Sequence, residues 1–457
     1  MATYSMAENL HRLIKETLDS GVAASIGEAE EMFRGFRLGF EISENDAHDR
    51  NHQAALLTGV ALARRVFLGG VRVSCPGAVP LKLALPAGKT IGEAVVRLGG
   101  TLTENTGDDP LVTIGDEPRK RANRFNIRTV FEGWRGGIVP AHSKITMSGG
   151  ATVPLAAMLS AALAVNESFA FVRTGSTIFG RRPVGLSLWR SSPAVDWLEK
   201  GSDEPTLRYL PARLWLIGLG HLGQAFLWAL GLLDYPTPSG LSLVLQDVDV
   251  ITPASLSTSV LTDSRLVGRK KTRAVADWCE ARGFDTRIVE RRFSADFSRQ
   301  PEEPSIALCG VDNALARQAL DQVGFDFIVE AGLGRGYRNY RSMRLHTLPG
   351  PRSATAIWKS EDDVDDVQSR PAYEKLLNDG DLDRCGITLL AGKAVGAPFV
   401  GAVAACLAIA EVLRLLLGGT VHELIDLDLQ AVEHRSVVPH NFDFSSLNPG
   451  YVLANIA

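Results

Sequence analysis

Residues 213–249 read RLWLIGLGHLGQAFLWALGLLDYPTPSGLSLVLQDVD. An apolar strand, Leu214 to Ile217, runs into Gly218-x-Gly220-x-x-Gly223; a helix follows, and a second apolar strand, Leu241 to Leu245, ends at Asp247 and Asp249. This is the pattern of a nucleotide-binding βαβ unit. A side chain at Gly218 or Gly220 would obstruct the tight turn and the approach of phosphate to the backbone N–H groups at the helix start, while Gly223 lets helix and strand pack closely. A glycine-rich turn in an ordinary α/β core is the alternative. The flanking strand, the helix and the carboxylate ending the next strand favour the nucleotide site.

The rest of the chain narrows the function classes. With 457 residues, 45% hydrophobic and 22% charged, it can bury a large core divided into two or three domains. A formal charge of -4 and the lack of any Lys/Arg run interleaved with aromatics argue against nucleic-acid binding. The five cysteines (Cys75, Cys279, Cys309, Cys385, Cys406) are scattered, odd in number and contain no Cys-x-x-Cys pair, which disfavours a disulfide framework or a four-cysteine zinc site and points to a reducing, cytoplasmic setting. The N-terminal stretch is charged and amphipathic, without the apolar core of an export signal. Ala394 to Ala410 carries no charge, but it is rich in Ala and Gly and continues into Glu411 and Arg414, so it reads as a buried helix rather than a membrane span.

About 200 residues precede the nucleotide unit, and they echo the second half of the chain. PLAAMLSAALAVNE (Pro154 to Glu167) and PFVGAVAACLAIAE (Pro398 to Glu411) share five of fourteen positions at an offset of 244, among them Pro154/Pro398 and Glu167/Glu411. The strand PLVTIGD (Pro110 to Asp116) has a counterpart in SIALCGVD (Ser305 to Asp312), and the second copy holds about 49 extra residues between matched landmarks, including Cys385. The expectation is a tandem pseudo-dimer of α/β domains, the first degenerate because it lacks GxGxxG. The expected boundaries are an N-terminal helical segment (1–50), a degenerate adenylation-like domain (51–200), an active domain (201–438) with a cysteine-bearing crossover insertion at about 335–390, and an irregular tail (439–457). Chance similarity between Ala-rich helices is the competing reading.

Beyond the first unit come DVDVITPASLSTSVLTDSRLVGRKKTRAVADW (Asp247 to Trp278) and ALCGVDNALARQ (Ala307 to Gln318). The order GxGxxG, a strand ending D-x-D, a variable loop, G-x-x-K opening a helix and a strand ending D-N resembles the ThiF/MoeB and ubiquitin-activating enzyme superfamily over roughly residues 212 to 430. The elements here are Gly218/Gly220/Gly223, Asp247/Asp249, Gly268-Arg269-Lys270-Lys271 and Asp312-Asn313. The resemblance implies a Rossmann-like domain with a mixed sheet that uses ATP and Mg²⁺ to adenylate the C-terminal carboxylate of a ubiquitin-like protein. It implies that Lys271, a catalytic residue, neutralises phosphate charge, that catalytic Asp312 ligates the metal, that Asn313 helps bind the nucleotide, and that Asp247 accepts from the ribose hydroxyls with Asp249 nearby. A solvated helix lysine at 271 and an Asp-Asn turn or helix cap at 312–313 are the plainer alternatives.

The resemblance also implies a thioester. Asp381 to Leu416 resembles the autophagy-type activating enzyme, whose catalytic cysteine lies just before the terminal Ala-rich helix; Cys385 takes that place, on an expected exposed loop. One departure stands out: the family's S-N-L-x-R-Q becomes Ser255 and Thr258 where asparagine and arginine are usual, which weakens adenylation unless Arg265, Arg269 or Lys270 supplies the missing cation. The implied partners are a ubiquitin-like protein ending in glycine and a conjugating enzyme, with a homodimer also open and a bacterial antiphage conjugation system as context. The competing classes are a sulfur-carrier adenylyltransferase, a non-catalytic carrier-binding scaffold and a nicotinamide oxidoreductase. The last is disfavoured because Asp247 lies 29 positions after Gly218, later than the roughly 20 of dinucleotide enzymes.

Overall fold

The computed structural model describes residues 4–115, 117, 124–147, 150–359 and 367–455; Asp116 of the PLVTIGD strand and residues 361–366 of the acidic stretch before Cys385 lie outside them. The helices that frame the site are α1 (Ile14–Asp19), α2 (Arg50–Ala63), α3 (Pro154–Thr174), α4 (His221–Leu232), α5 (Lys271–Arg282), α6 (Pro371–Asn378), α7 (Arg384–Ala391) and α8 (Pro398–Leu416).

The first sheet contains β1 (Arg37–Ile42), β2 (Gly70–Ser74), β3 (Thr101–Leu102), β4 (Leu111–Ile114), β5 (Asn126–Glu132), β6 (Arg135–Pro140) and β7 (Val184–Ser187), in the order β3-β2-β1-β4-β5-β6-β7. After β8 (Tyr209–Pro211), the second sheet contains β9 (Arg213–Ile217), β10 (Ser242–Gln246), β11 (Asp285–Val289), β12 (Ile306–Cys309), β13 (Phe327–Leu333), β14 (Ser342–Leu348), β15 (His422–Asp428) and β16 (Ser436–Pro439). Its order is β11-β10-β9-β12-β13-β14-β15-β16. In each sheet five strands pair in parallel and the next two antiparallel, so the first seven positions correspond strand for strand. The matched segments occupy equivalent places: β4 and β12 lie beside the central strands β1 and β9, and α3 and α8 lie between the antiparallel strands in sequence.

The core sits where the helices of the two halves meet. Helix α3 packs on α2 and α8, and α8 packs on α4. Both α3 and α8 begin with proline, whose missing N–H costs nothing in a first turn, and both are apolar all round because protein surrounds them. They are long and apolar enough to cross a membrane, yet 89% of each apolar window is buried inside the fold.

Three expected boundaries change. The supposed helical segment 1–50 includes β1, a mostly buried strand between β2 and β4, so that layer begins at Arg37. Strand β14 belongs to the second sheet, so the insertion runs from its end to α8 rather than over 335–390. The tail after 439 is partly ordered as strand: β17 (Tyr451–Leu453) pairs antiparallel with β8, its Tyr451 ring against Tyr209.

Candidate functional site

Strand β9 leaves the sheet between β10 on one side and β12 on the other, and the chain extends the sheet first one way and then the other. That is a topological switch point, where open α/β sheets bind ligands at the carboxyl ends of their strands. The turn there needs its glycines. Gly218 has φ +86°, and a Cβ on it would meet Val311 Cγ1 at 2.9 Å; a Cβ on Gly223 would fall 2.0 Å from the Gly218 carbonyl oxygen. Helix α4 starts immediately after Gly220 and points its free N–H groups and positive dipole end into the crevice.

The carboxylates of the next strand brace this turn. Asp247 accepts from the Leu219 N–H at 2.7 Å and from the Asp249 N–H at 2.8 Å. Each of its oxygens keeps a second lone pair, so ribose hydroxyls can still be received. Residues 249–251 run antiparallel to 268–271 through the Ile251 N–H to Arg269 carbonyl, Gly268 N–H to Ile251 carbonyl and Lys271 N–H to Asp249 carbonyl bonds. That pairing explains why G-x-x-K stands beside D-x-D. Lys271 Nζ lies 2.8 Å from Asp249 Oδ2 and 3.9 Å from Asp247 Oδ2, while a Cβ on Gly220 would be 3.8 Å from that ammonium. The ammonium thus stands beside the glycine turn.

On the other side, the turn abuts residues 310–311, which carry Asp312 out of the sheet edge. Asp312 and Asn313 are both exposed. Asn313 caps the helix Ala314–Gln318, its Oδ1 accepting from the Ala316 N–H, so its side chain has a structural task first. The crevice brings together Gly218, Gly220, Gly223, Asp247, Asp249, Lys271 and Asp312. This donor set suits a nucleotide triphosphate with a hard divalent cation: N–H groups and an ammonium for phosphate oxygens, and an exposed carboxylate for the metal.

None of the expected stand-ins for the family arginine is free. Arg265 pairs with Asp263 at 2.6 Å, Arg269 with Asp277 at 2.8 Å, and Lys270 donates to the Val248 carbonyl. Ser255 is occupied in a capping box with Thr252, and Thr258 is buried against Gly396. Arg335 donates to the Asp312 carbonyl at 3.3 Å, and a further cation, Arg12, comes under the influence of the Asp312 carboxylate from a segment outside both sheets. Its backbone N–H donates to Ser257 Oγ at 3.1 Å and its carbonyl receives the Gly396 N–H. Burial lowers the Arg12 pKa while the Asp312 carboxylate raises it, and Nη1 is buried without a hydrogen-bond partner. No local motif announces Arg12, because its relation to Asp312 exists only in the fold.

Two more residues escaped the sequence reading. Arg65, fully buried at the end of α2, donates to the carbonyls of Ser259, Val260 and Thr262, so the first half of the chain pins the loop after D-x-D. His221, first residue of α4, is wedged against α8: a Cβ on Gly401 would lie 2.4 Å from its Nε2. Burial pulls its pKa down to about 4, and the neighbouring Arg65 charge adds to this.

Cys385 is exposed as expected, but on a helix rather than a loop: it is the second residue of α7, whose N-cap Asp383 accepts from the Gly386 N–H at 2.7 Å. Helix α7 is tied to the N-terminal segment, since buried Lys15 of α1 donates to the Ala391 carbonyl at 3.2 Å and Asp19 receives the Tyr373 hydroxyl of α6. Cys309 and Cys406 are core residues whose thiols burial pushes up, Cys309 to about 12. Cys279 is likewise buried, and half-buried Cys75 is raised to about 11.

Against known proteins, the family model of the BilD N-terminal domain matches residues 37–188 and that of the BilD C-terminal domain matches residues 210–419. The chain is 44% identical over 419 residues to the bacterial E1-like protein BilD of Collimonas sp. (strain OK412), covering 91% of this chain and 90% of that one. Among solved structures it is similar to E. coli MccB with ATP (14% identity, 50% of this chain, 64% of that chain, TM-score 0.33) and to PaaA (15% identity, 50%, 64%, TM-score 0.34). Those matches span less than two thirds of the solved chains and add nothing to the topology already established.

Proposed function

Because the chain belongs to the BilD family of bacterial E1-like proteins, we propose that it activates the C-terminal carboxylate of a ubiquitin-like protein with ATP and passes the acyl group through Cys385 to a conjugating enzyme. The observation that carries this reading is the crevice at β9: a bare phosphate turn with Lys271, Asp247 and Asp249 on one side and exposed Asp312 on the other. In the first step a carboxylate oxygen bonds to the α-phosphorus of ATP and the bond to the departing pyrophosphate breaks. The N–H groups opening α4, Lys271 and Arg12 hold the negative charge that builds on the phosphates. Asp312 would hold Mg²⁺, which offsets triphosphate charge when bound. In the second step the Cys385 thiolate bonds to the acyl carbon and AMP leaves, so the mixed anhydride is exchanged for a thioester.

We read the first half as a degenerate adenylation domain that serves the second. The shared strand order supports this, as does what stands at the end of β1. There Ser43, Glu44 and Asp46 replace the phosphate turn, and a Cβ on Gly115 would meet Asp46 Oδ2 at 2.4 Å, so a carboxylate fills the space where an anion would enter. The scattered free cysteines suit a reducing cytoplasm.

The test is ATP–pyrophosphate exchange by the full chain with a co-purified ubiquitin-like protein, followed by a non-reducing gel of wild type and Cys385→Ala. Exchange in both, with a thiol-sensitive adduct only in the wild type, is expected. Exchange without any adduct would assign the chain to the sulfur-carrier adenylyltransferases. No exchange from a folded chain would leave a carrier-binding scaffold.

A further inference from the structure

Outside the crevice, a cluster of two arginines has no carboxylate partner among the described residues. The short helix Gly336–Asn339 comes after β13, the strand that pairs in parallel with β12, so it emerges at the same sheet edge as Asp312 and one strand over. Its Tyr337 hydroxyl receives two guanidiniums, Arg338 Nε at 3.0 Å and Arg370 Nη2 at 3.0 Å. Both also lie over the Tyr337 ring, 5.3 Å and 5.6 Å from its centroid. Arg370 is the N-cap residue of α6, in the segment that carries Cys385, and its Nε is buried without a hydrogen-bond partner. Among the described residues neither arginine has a carboxylate within ion-pair distance. A neutral phenol cannot balance two cations, and a half-buried guanidinium with an unused N–H is an incomplete site for a planar anion.

We propose that Arg338 and Arg370, gathered on the Tyr337 hydroxyl, form a clamp for an Asp or Glu side chain in the C-terminal tail of the activated protein; this rests on the adenylation reading. The position comes from the sheet. On this reading the tail, its terminal carboxylate at the β9 crevice, leaves along the C-terminal edge of β12 and β13, and an extended chain covers ~3.4 Å per residue. An acidic residue within about the last six residues therefore reaches the helix Gly336–Asn339. Charge selects the tail there, and the clamp joins the adenylation edge to the segment bearing Cys385.

The test uses two fluorescein-labelled decapeptides ending in Gly-Gly, one with Glu and one with Gln four residues before the end. Binding to the full-length chain is monitored by anisotropy, in wild type and in Arg338→Gln/Arg370→Gln. We expect the Glu peptide to bind wild type about tenfold tighter than the Gln peptide and the preference to vanish in the double variant, with binding of a fluorescent ATP analogue unchanged. Arg338→Gln alone, at an exposed position, gives an intermediate preference if the double variant does not fold. Equal binding of the two peptides, no saturable binding of either, or a preference that survives both substitutions would overturn the clamp. So would displacement by a single-stranded oligonucleotide at lower concentration than by the Glu peptide. Pyrophosphate exchange with the ubiquitin-like protein separates the two readings: exchange alongside equal binding of the two peptides keeps adenylation and removes the clamp, whereas no exchange removes adenylation and with it the clamp for an activated tail.

Discussion

The fold is held partly by two histidines that must stay neutral, which makes its acid stability calculable. His11 has Nε2 2.9 Å from the Arg65 carbonyl, while its Nδ1 receives the Leu13 and Ile14 N–H groups, so the neutral ring satisfies every partner and a second ring proton would have none. His221, half-buried at the start of α4, has its Nε2 enclosed against α8 beside the Arg65 charge. Burial lowers each from the ordinary 6.5 to about 4. The folded values lie below the unfolded ones, so the unfolded chain binds more protons between them. Stability is full above pH 6.5 and falls as the pH drops from 6.5 toward 4. Lowering the pH from 7 to 5 therefore costs ~2 kcal/mol per ring, ~4 kcal/mol for the pair. Raised carboxyls such as Glu167 and Glu204 act in the opposite sense, so the comparison is made between variants. Urea unfolding monitored by tryptophan fluorescence at both pH values should show His221→Leu losing ~2 kcal/mol less than wild type over that interval. Equal losses in the two proteins would refute the placement of His221 as a half-buried ring that is neutral in the folded chain.

The same contacts set further outcomes. Lys271→Ala and Asp312→Asn should each lower pyrophosphate exchange at least ~100-fold with little change in melting temperature, since both line an open crevice. Arg12→Ala should raise the KM for ATP and lower exchange by ~10-fold or more, with partial recovery in Arg12→Lys, because charge near Asp312 is what it supplies. Gly223→Ala should destabilise the chain by ~2 kcal/mol or more in urea titrations, because its Cβ has to displace the Gly218 carbonyl 2.0 Å away. Glu411 and Glu167 hold matched places in α8 and α3 but should respond differently to glutamine. Glu411 is held ionised by Arg414 and His422, so Glu411→Gln should cost ~3 kcal/mol. Glu167, whose carboxyl burial raises and whose main partner is the Gly180 N–H, should tolerate the change for under ~1 kcal/mol, read by the same unfolding assay.

What could be read from the chain alone is what local sterics and periodicity encode. The glycine turn was legible because only glycine fits φ +86° at 218 or the contact at 223, and both constraints act within a few residues. D-x-D, G-x-x-K and D-N were legible for a related reason: each sits where a strand or helix begins or ends, and parallel strands deliver their ends to one edge. The apolar, proline-led helices α3 and α8 are alike in composition, and they occupy equivalent places relative to the two sheets. Tertiary structure alone decided the rest. Strand β1 was hidden in a segment read as helical because its neighbours β2 and β4 lie tens of residues away, and β17 found β8 across more than 200 residues. Arg12 beside Asp312, Arg65 on the loop after D-x-D, and two arginines on Tyr337 have no spacing rule. They meet because buried helices of the two halves pack together, and the free energy of that packing depends on the whole core rather than on any stretch of sequence that could announce it.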